Sequence, residues 1–569
     1  MRELSNAPRW VAIGFLCGLA CLAGLGAYSI WSATRLGPGL GSDSAAYIAG
    51  AQNLASGDGF VWKMGPADVR PITHRPPLYS VLLASFEFLP PSHPVGALIG
   101  TRVTGMVLFA ATIALTGWLV FRLTRSMVIG LLGAGLVLGN AGLITTYSRG
   151  MSEGLYLTLS AVVLLLGVGY QNAPSRGRVA ALGVAVGLLA LTKYIGLSAL
   201  LAVAAVILLS RRLTRRTTPT DLAVFVVVAC SPIVLFLIRN ELVDGTALHR
   251  SLMVHPLNPD DVKTGIQIVS RWFLPMGVAD WLTDHLRTRY LILGVAAVAA
   301  GVAAMLLQTW RATRRGASPW AKDDSLPVLA AAMAITYVAF HAGAVLFSTP
   351  TPDTDERTLS GLVLPLIVVV AWALERSWRS TSSAARAAAM LAGCVLFVGR
   401  PAEVAGTVTS LSAAGSGYSS PAWSESPLIR TLRTMKADVV YTDDEGAVFL
   451  LAGIQPYSLP DKWNSTSGVL NPEYARGLER MRERLRRGGL LVLFFDGPRL
   501  PEHPDYGELK EGLAPILEAG DGGIYTWPSG SLRSSMDRSG IWPPGGISPG
   551  GLLRRIGWIS TASKPGWEA

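Results

Sequence analysis

Apolar residues run along this chain in stretches of about twenty, separated alternately by short arginine-bearing connections and by longer polar ones. A hydrocarbon core about 30 Å thick requires roughly 20 apolar residues per helix. Such stretches fall near residues 10–32, 98–121, 127–146, 153–171, 178–192, 194–210, 220–239, 289–310, 326–347, 359–375 and 386–399. The pattern predicts an all-α polytopic membrane bundle of about eleven helices, with the two flanking Lys193 short. The first stretch is too long for a cleavable signal peptide and lacks a clean small-x-small cleavage site after it, so it is expected to remain as a span.

Charge then predicts the orientation. Arg2 and Arg9 precede the first stretch; Arg122 and Arg125, Arg176 and Arg178, then Arg211, Arg212, Arg215 and Arg216 occupy alternate connections. Arg311, Arg314, Arg315 and Lys322 fill the next, and Arg376, Arg379 and Arg386 the last. Short loops rich in Arg and Lys stay cytoplasmic. The intervening segments 33–97, 240–288 and 348–358 (the last with Asp353, Asp355 and Glu356) are therefore expected outside, and an odd number of spans puts the C-terminal segment there too.

From about residue 412 the pattern changes. Asp438–Thr442 and Leu490–Phe495 read as strands. Glu473–Arg487 reads as a basic amphipathic helix stopped by Gly488-Gly489. The expected division is a membrane domain over 1–411, with juxtamembrane helices in the loop 33–97, and a small α/β domain over 412–528 on the outer face. The stretch 529–569, rich in Gly, Pro and Ser, reads as a disordered tail.

Composition sharpens this. Of 569 residues, 50% are hydrophobic and only 15% charged, where a soluble domain is about a quarter charged; mean hydropathy is +0.40. That balance argues against a water-soluble globular enzyme. The formal charge of +11 is spread over short runs between apolar stretches rather than gathered on one face, which argues against a nucleic-acid partner. Glycine (61) and proline (35) follow no period, as suits breaks between membrane helices. Cys17, Cys21, Cys230 and Cys394 lie within apolar stretches and read as small hydrophobes, with neither a disulfide framework nor zinc spacing.

Candidate chemistry gathers on the expected outer side. Asp43 and Tyr47 stand one helical turn apart in Gly41–Gly50, where small residues at 45, 46, 49, 50 and 51 permit close packing, and Gly57 and Gly59 end the helix. Asp43 reads either as a base over a membrane-level cavity, or as a helix cap in company with Ser42. In Thr73-His74-Arg75-Pro76-Pro77-Leu78-Tyr79 the prolines start a short interfacial helix. Glu153 opens the fourth span after Ser152: a catalytic carboxylate, or a charge favourably placed at the positive end of a capped helix. Lys193-Tyr194 offers a cation for a lipid phosphate, or a lysine snorkelling from a hairpin tip. Arg271 and Arg357 are further cations, each equally readable as an interfacial arginine. His341 reads as a satisfied residue inside the bundle. No phosphate-binding Gly-rich Lys-Ser/Thr loop, dinucleotide fingerprint or His-Glu-x-x-His occurs, and neither Gly-x-Ser-x-Gly match (150–154 and 546–550) follows a strand pattern as a nucleophile elbow would.

An Asp-x-x-x-Tyr helix after the first span, Gly57-Asp58-Gly59 following it, and then Arg75-Pro-Pro-Leu-Tyr79 resemble the first outer loop of GT-C superfamily membrane glycosyltransferases. The branch resembled is that of the protein O-mannosyltransferases and the lipid A aminoarabinose transferase. Ser152-Glu153-Gly-Leu-Tyr156, Leu191-Thr-Lys193-Tyr194-Ile-Gly196 and Arg357-Thr-Leu-Ser-Gly-Leu-Val-Leu-Pro365 are similar to later segments of that branch, in the same order. The resemblance spans about residues 10–400 in layout. It implies transfer of a sugar from a polyprenyl-phosphate carrier to an acceptor hydroxyl at the outer leaflet, by one inverting displacement. Asp43 matches the family's catalytic acid, with Glu153 a second catalytic candidate. Tyr47, His74, Arg75, Tyr79, Lys193, Tyr194, Arg271 and Arg357 become substrate-binding candidates, the cations suited to a departing phosphate. In protein O-mannosyltransferases an acidic residue follows the catalytic one; here it is Ser44, which weakens the case for a protein serine or threonine acceptor.

The expected partners are a polyprenyl-phosphate sugar, a glycan, lipid or protein acceptor, and the bilayer of a bacterial plasma or inner membrane. No cofactor is compelled, no metal ligand is assigned, and a divalent metal is left open. A transporter or lipid-carrier flippase also has many spans and a few charges. Such proteins usually show paired repeats and mid-membrane polar groups, and the two halves here do not match. A scaffold of the same shape without activity is the third reading.

Overall fold

The computed structural model describes residues 9–65, 68–89, 96–214, 218–248, 250–287, 289–290, 292–294, 325–435, 437–463, 469–495 and 503–528. Outside these lie Arg2, Arg215, Arg216, Arg311, Arg314, Arg315 and Lys322, most of the span expected near 289–310, and the tail from Ser529. Among the described residues the strands are β1 (Val61–Met64), β2 (Asp68–Pro71), β3 (Ser251–Leu252), β4 (Ser348–Thr349), β5 (Val440–Thr442), β6 (Tyr457–Ser458), β7 (Leu490–Phe494), β8 (Ala514–Ala519) and β9 (Gly522–Thr526); helices fill most of the rest.

Among the described residues, seven helices are long and apolar enough to cross a membrane: Trp10–Ala33, Gly96–Thr124, Glu153–Asn172, Pro219–Asp244, Ser325–Phe347, Glu356–Trp378 and Ser383–Ala414. The stretch expected as one span over 127–146 is two helices, Met127–Leu138 and Ala141–Ser148, bent by 59°; counted together they bring the number to eight. Asn140 makes the bend, because its side chain accepts from Leu143 N (3.1 Å) and starts a new helix in a new direction. The expected spans at 178–192 and 194–210 correspond to Arg176–Thr192, of 17 residues, and to the turn Tyr194–Gly196 continued by Leu197–Thr214, of 18; neither is among these seven. The last span is also two pieces, Ser383–Val395 and Arg400–Ala414, broken near Gly399 at φ +77°.

The chain divides into two compact units. One comprises 1–33, 73–82 and 103–409; the other 34–72, 83–102 and 410–569. The first is the helical bundle, and glycines let its helices touch. A Cβ on Gly105 would lie 2.3 Å from Tyr147 O, and one on Gly117 2.9 Å from Ala134 Cβ. Lipid gives no hydrophobic incentive for helices to associate, so such backbone approach carries the packing.

The second unit contains the expected α/β domain together with most of the first long loop. Its sheet has the order β6-β5-β7-β9-β8, with β6, β5 and β7 parallel and the last two pairings antiparallel. The expected amphipathic helix is present as Tyr474–Arg486, and Gly488 at φ +100° ends it. Tyr474, Leu478, Met481 and Leu485, at helical spacing, pack with Tyr441, Tyr457, Leu491, Leu493 and Tyr525 of the sheet. Met64, from the β1–β2 hairpin, joins the same core. Gly65 beside it has no room for a side chain, since a Cβ would meet the Tyr457 ring at 2.0 Å. Arg70 and Asp68 of the hairpin reach Ser458 Oγ (3.1 Å) and the Arg484 guanidinium (3.5 Å). The loop is thus part of the C-terminal fold, a division that differs from a cut at residue 411.

Candidate functional site

The helical unit holds eight of the ten sequence candidates, and Glu153 is the centre of the charged group among them. The helix Glu153–Asn172 begins at this residue; Ser152 stands at the N-cap position without a capping bond from its side chain. Glu153 itself is 2% exposed. Its Oε1 accepts from Lys193 Nζ at 2.8 Å, and Arg357 Nε lies 3.8 Å away. Its Oε2, also buried, has no hydrogen-bond partner among the described residues.

Lys193 reaches that carboxylate because the helix Arg176–Thr192 stops just before it. Thr192 turns its hydroxyl back to Leu188 O (2.8 Å), and Lys193 is extended at φ −151°, ψ 139°. A single 3-10 turn, Tyr194–Gly196, follows. Gly196 permits this break, since a Cβ there would stand 2.5 Å from Leu189 O. The lysine therefore leaves the helix end rather than a helix face.

Arg357 is placed by a capped turn. Asp355 caps the helix Glu356–Leu359, its Oδ1 accepting from Thr358 N (2.7 Å) while Thr358 Oγ1 accepts from Asp355 N (3.1 Å). Arg357 Nε also lies 3.5 Å from Asp355 Oδ2. Tyr337 donates its hydroxyl to Thr358 O, and its ring meets Tyr156 edge-on at 6.1 Å between centroids. His341 Nε2 stands 3.4 Å from Thr354 Oγ1 in the same group.

A polar layer near Tyr194 contains residues with little sequence signal. Tyr194 donates to Thr73 O (2.9 Å), which also accepts from Asn240 Nδ2 (3.1 Å); Thr73 Oγ1 donates to Asp244 Oδ2 (2.7 Å). Arg239 donates to Asn240 Oδ1 (3.0 Å). Arg250 donates to Ser348 Oγ (2.9 Å) and Pro350 O (2.7 Å). Arg239 and Arg250 both lie within electrostatic range of Tyr194. An arginine and an asparagine ending the apolar stretch 220–239 were the available signal for this layer.

The remaining candidates differ in role. Arg75 Nε donates to His74 Nε2 (2.8 Å), so that ring nitrogen is an acceptor. Tyr79 is buried. Arg271 Nε bonds Asp280 Oδ1 at 2.7 Å, clamping the helix Pro259–Arg271 to Met276–His285 and holding the Asp280 carboxyl below its ordinary pKa, and Arg271 also lies within electrostatic range of Glu356, next to Arg357. Arg400 fixes the same corner by donating to Arg271 O (2.9 Å) and Leu274 O (3.3 Å).

Asp43 and Tyr47 belong to the other unit, on the helix Ser42–Ala55, where Tyr47 is buried. The N-cap is Gly41, neither Ser42 nor Asp43, and Gly41 N donates to Ser44 Oγ at 3.3 Å. Asp43 thus occupies the first turn without being the cap residue. Among the described residues no group of three or more His, Cys, Asp or Glu is arranged to hold a metal, so no ligand set can be named for one.

The fold is shared with solved structures of an ArnT and of an oligosaccharyltransferase. Among solved structures, the chain is similar to ArnT from Cupriavidus metallidurans bound to undecaprenyl phosphate, at 14% identity and TM-score 0.52, over 92% of this chain and 99% of that one. The apo state of the same ArnT gives 12% identity and TM-score 0.53, over 91% and 97%. The Archaeoglobus fulgidus oligosaccharyltransferase in complex with Zn and sulfate is similar at 11% identity and TM-score 0.50, over 89% and 73%. At such identities the likeness is one of fold. No protein-family model and no curated protein matches the sequence.

Proposed function

We propose that this protein is a membrane glycosyltransferase that moves a sugar from a polyprenyl-phosphate carrier to an acceptor hydroxyl on the outer face of the membrane. One observation carries most of the weight: the fold extends over nearly the whole of an ArnT whose structure contains undecaprenyl phosphate, 99% of that chain. The buried Glu153, with Lys193 and Arg357 against one oxygen and its other oxygen without a hydrogen-bond partner among the described residues, supports a charged site in the bundle.

In this reading Asp43 takes the proton from the acceptor hydroxyl as its oxygen attacks the anomeric carbon. The carbon–oxygen bond to the lipid phosphate breaks on the opposite face, with inversion. Lys193 and Arg357 supply positive charge for the phosphate, whose negative charge grows as that bond breaks. Glu153 holds both cations in place before the donor arrives, because their attraction to a buried carboxylate is screened little by water. Orientation with the arginine-rich loops in the cytoplasm, and with the C-terminal domain outside, belongs to the same proposal.

Purified protein in detergent, offered polyprenyl-phosphate sugars and lipid or glycan acceptors, is expected to release free polyprenyl phosphate. Failure to release it from any pentosyl or hexosyl donor, with protein that remains monodisperse, would contradict the proposal.

A further inference from the structure

The helix that carries Asp43 is held at its start by residues more than 370 positions away in the chain. Leu40 and Gly417 form a parallel bridge, Tyr418 N donates to Leu40 O at 2.9 Å, and Ser419 Oγ donates to Pro38 O at 2.5 Å. The approach leaves no room for side chains. A Cβ on Gly417 would stand 1.9 Å from Leu40 O, and one on Gly37 2.7 Å from Ser419 Oγ; both glycines have positive φ, +54° and +123°.

Tyr418 then connects this strap to the turn after β5. The side chain is 6% exposed, and its hydroxyl donates to Asp444 Oδ1 at 2.5 Å. The same Asp444 oxygen accepts from Ala447 N (2.9 Å), fixing the turn. Gly446 lies beneath: a Cβ there would come 2.8 Å from the Tyr418 hydroxyl and 3.2 Å from Ala45 Cβ. Helix Ser42–Ala55 therefore packs through Ala45 on the turn that Tyr418 holds. Asp43 is itself among the charges around the Tyr418 hydroxyl, together with Asp444 and Glu445.

We infer that Tyr418 is a positioning residue for Asp43, and that Gly415–Ser419 straps the first turn of the Asp43 helix to the C-terminal α/β domain. Without the strap, Gly37-Pro38-Gly39-Leu40-Gly41 has three glycines and little to fix it, so the helix start would sample many positions. The catalytic consequence rests on Asp43 being the base: a displacement of about 1 Å in a catalytic group can cost about 10²-fold in rate.

Two readouts on the full-length protein test this. Tyr418→Phe keeps the ring and deletes the bond to Asp444. It should speed hydrogen exchange of the amides at 41–47 by about tenfold, the effect of one lost hydrogen bond, and lower kcat by about tenfold with the donor KM unchanged. Gly417→Val should do both more strongly, unless it misfolds. Tyr441→Phe, which removes a bond to Arg484 in the same domain, should leave exchange at 41–47 and kcat at wild-type levels. Unchanged exchange at 41–47 in Tyr418→Phe overturns the inference, as does faster exchange with unchanged kcat, or an equal effect from Tyr441→Phe. If the wild-type protein shows no transfer at all, the transferase proposal fails, and the exchange measurement alone decides whether the strap exists.

Discussion

Replacing Lys193 by methionine leaves the Glu153 carboxylate, 2% exposed, with Arg357, at 3.8 Å, as its remaining cation among the described residues. Removing one partner of a fully buried ion pair costs about 3–5 kcal/mol, because the other charge stays desolvated. Here the Lys193 side chain is 24% exposed and Arg357 keeps part of the compensation, so the expected loss is about 1–3 kcal/mol. The double variant Lys193→Met/Glu153→Gln removes the stranded charge and should recover most of that loss, a coupling of about 1–2 kcal/mol. The assay is a heating series in one detergent, read as the fraction of monodisperse protein left after each step, since large membrane proteins unfold irreversibly. With each kcal/mol worth about 1–2 °C at this chain length, Lys193→Met should fall by about 1–6 °C and the double variant should lie between it and wild type. A Lys193→Met protein as stable as wild type, or a double variant no better than the single one, would refute the buried ion pair as a stabilising element.

Other predictions follow from separate parts of the molecule. Gly105→Ala should destabilise by about 1–3 kcal/mol, because the new methyl meets backbone oxygen of Tyr147 rather than a movable side chain; Gly169→Ala, with open space around it, should not, and the same heating series compares them. Lys462 lies 2.5 Å from Glu508 and is the main reason that carboxyl sits below its ordinary pKa. The pair's stabilisation is therefore present above the ordinary carboxylate range and is lost as pH falls through the folded value. Lys462→Met should lower Tm at neutral pH and match wild type in acid; a gap that persists or widens in acid refutes it. In a variant lacking native cysteines, a cysteine at position 260 should react with an impermeant maleimide on intact cells and one at 215 should not; the reverse pattern overturns the orientation.

Local periodicity made most of the bundle legible, because an apolar stretch of span length has few alternatives to a helix. It failed where one residue redirects the chain: Asn140 bends an apolar run into two helices by capping the second, which hydropathy does not register. β5, β7 and the helix Tyr474–Arg486 were readable from alternation and amphipathic spacing. The membership of residues 34–72 in the C-terminal unit was not, since it depends on pairings such as Leu40 with Gly417 and Arg70 with Ser458, which leave no local pattern. At the candidate site, Glu153, Lys193 and Arg357 could be named singly from charge in an apolar setting, but their meeting needed the broken helix at Gly196 and the cap at Asp355. Arg271 could be named from the same charge, while its pairing with Asp280 left no local signal.

The central claim, a transferase with Asp43 as its base, is tested most directly by following free polyprenyl phosphate released from a labelled polyprenyl-phosphate sugar by wild type and Asp43→Asn, with donor binding and melting measured on the same preparations. Gly41 occupies the N-cap and asparagine keeps the size of aspartate, so folding and donor affinity should hold. Turnover should fall by about 10²–10⁴-fold, the usual contribution of a general base. Full turnover in Asp43→Asn would contradict the account and shift the search for the base to Glu153.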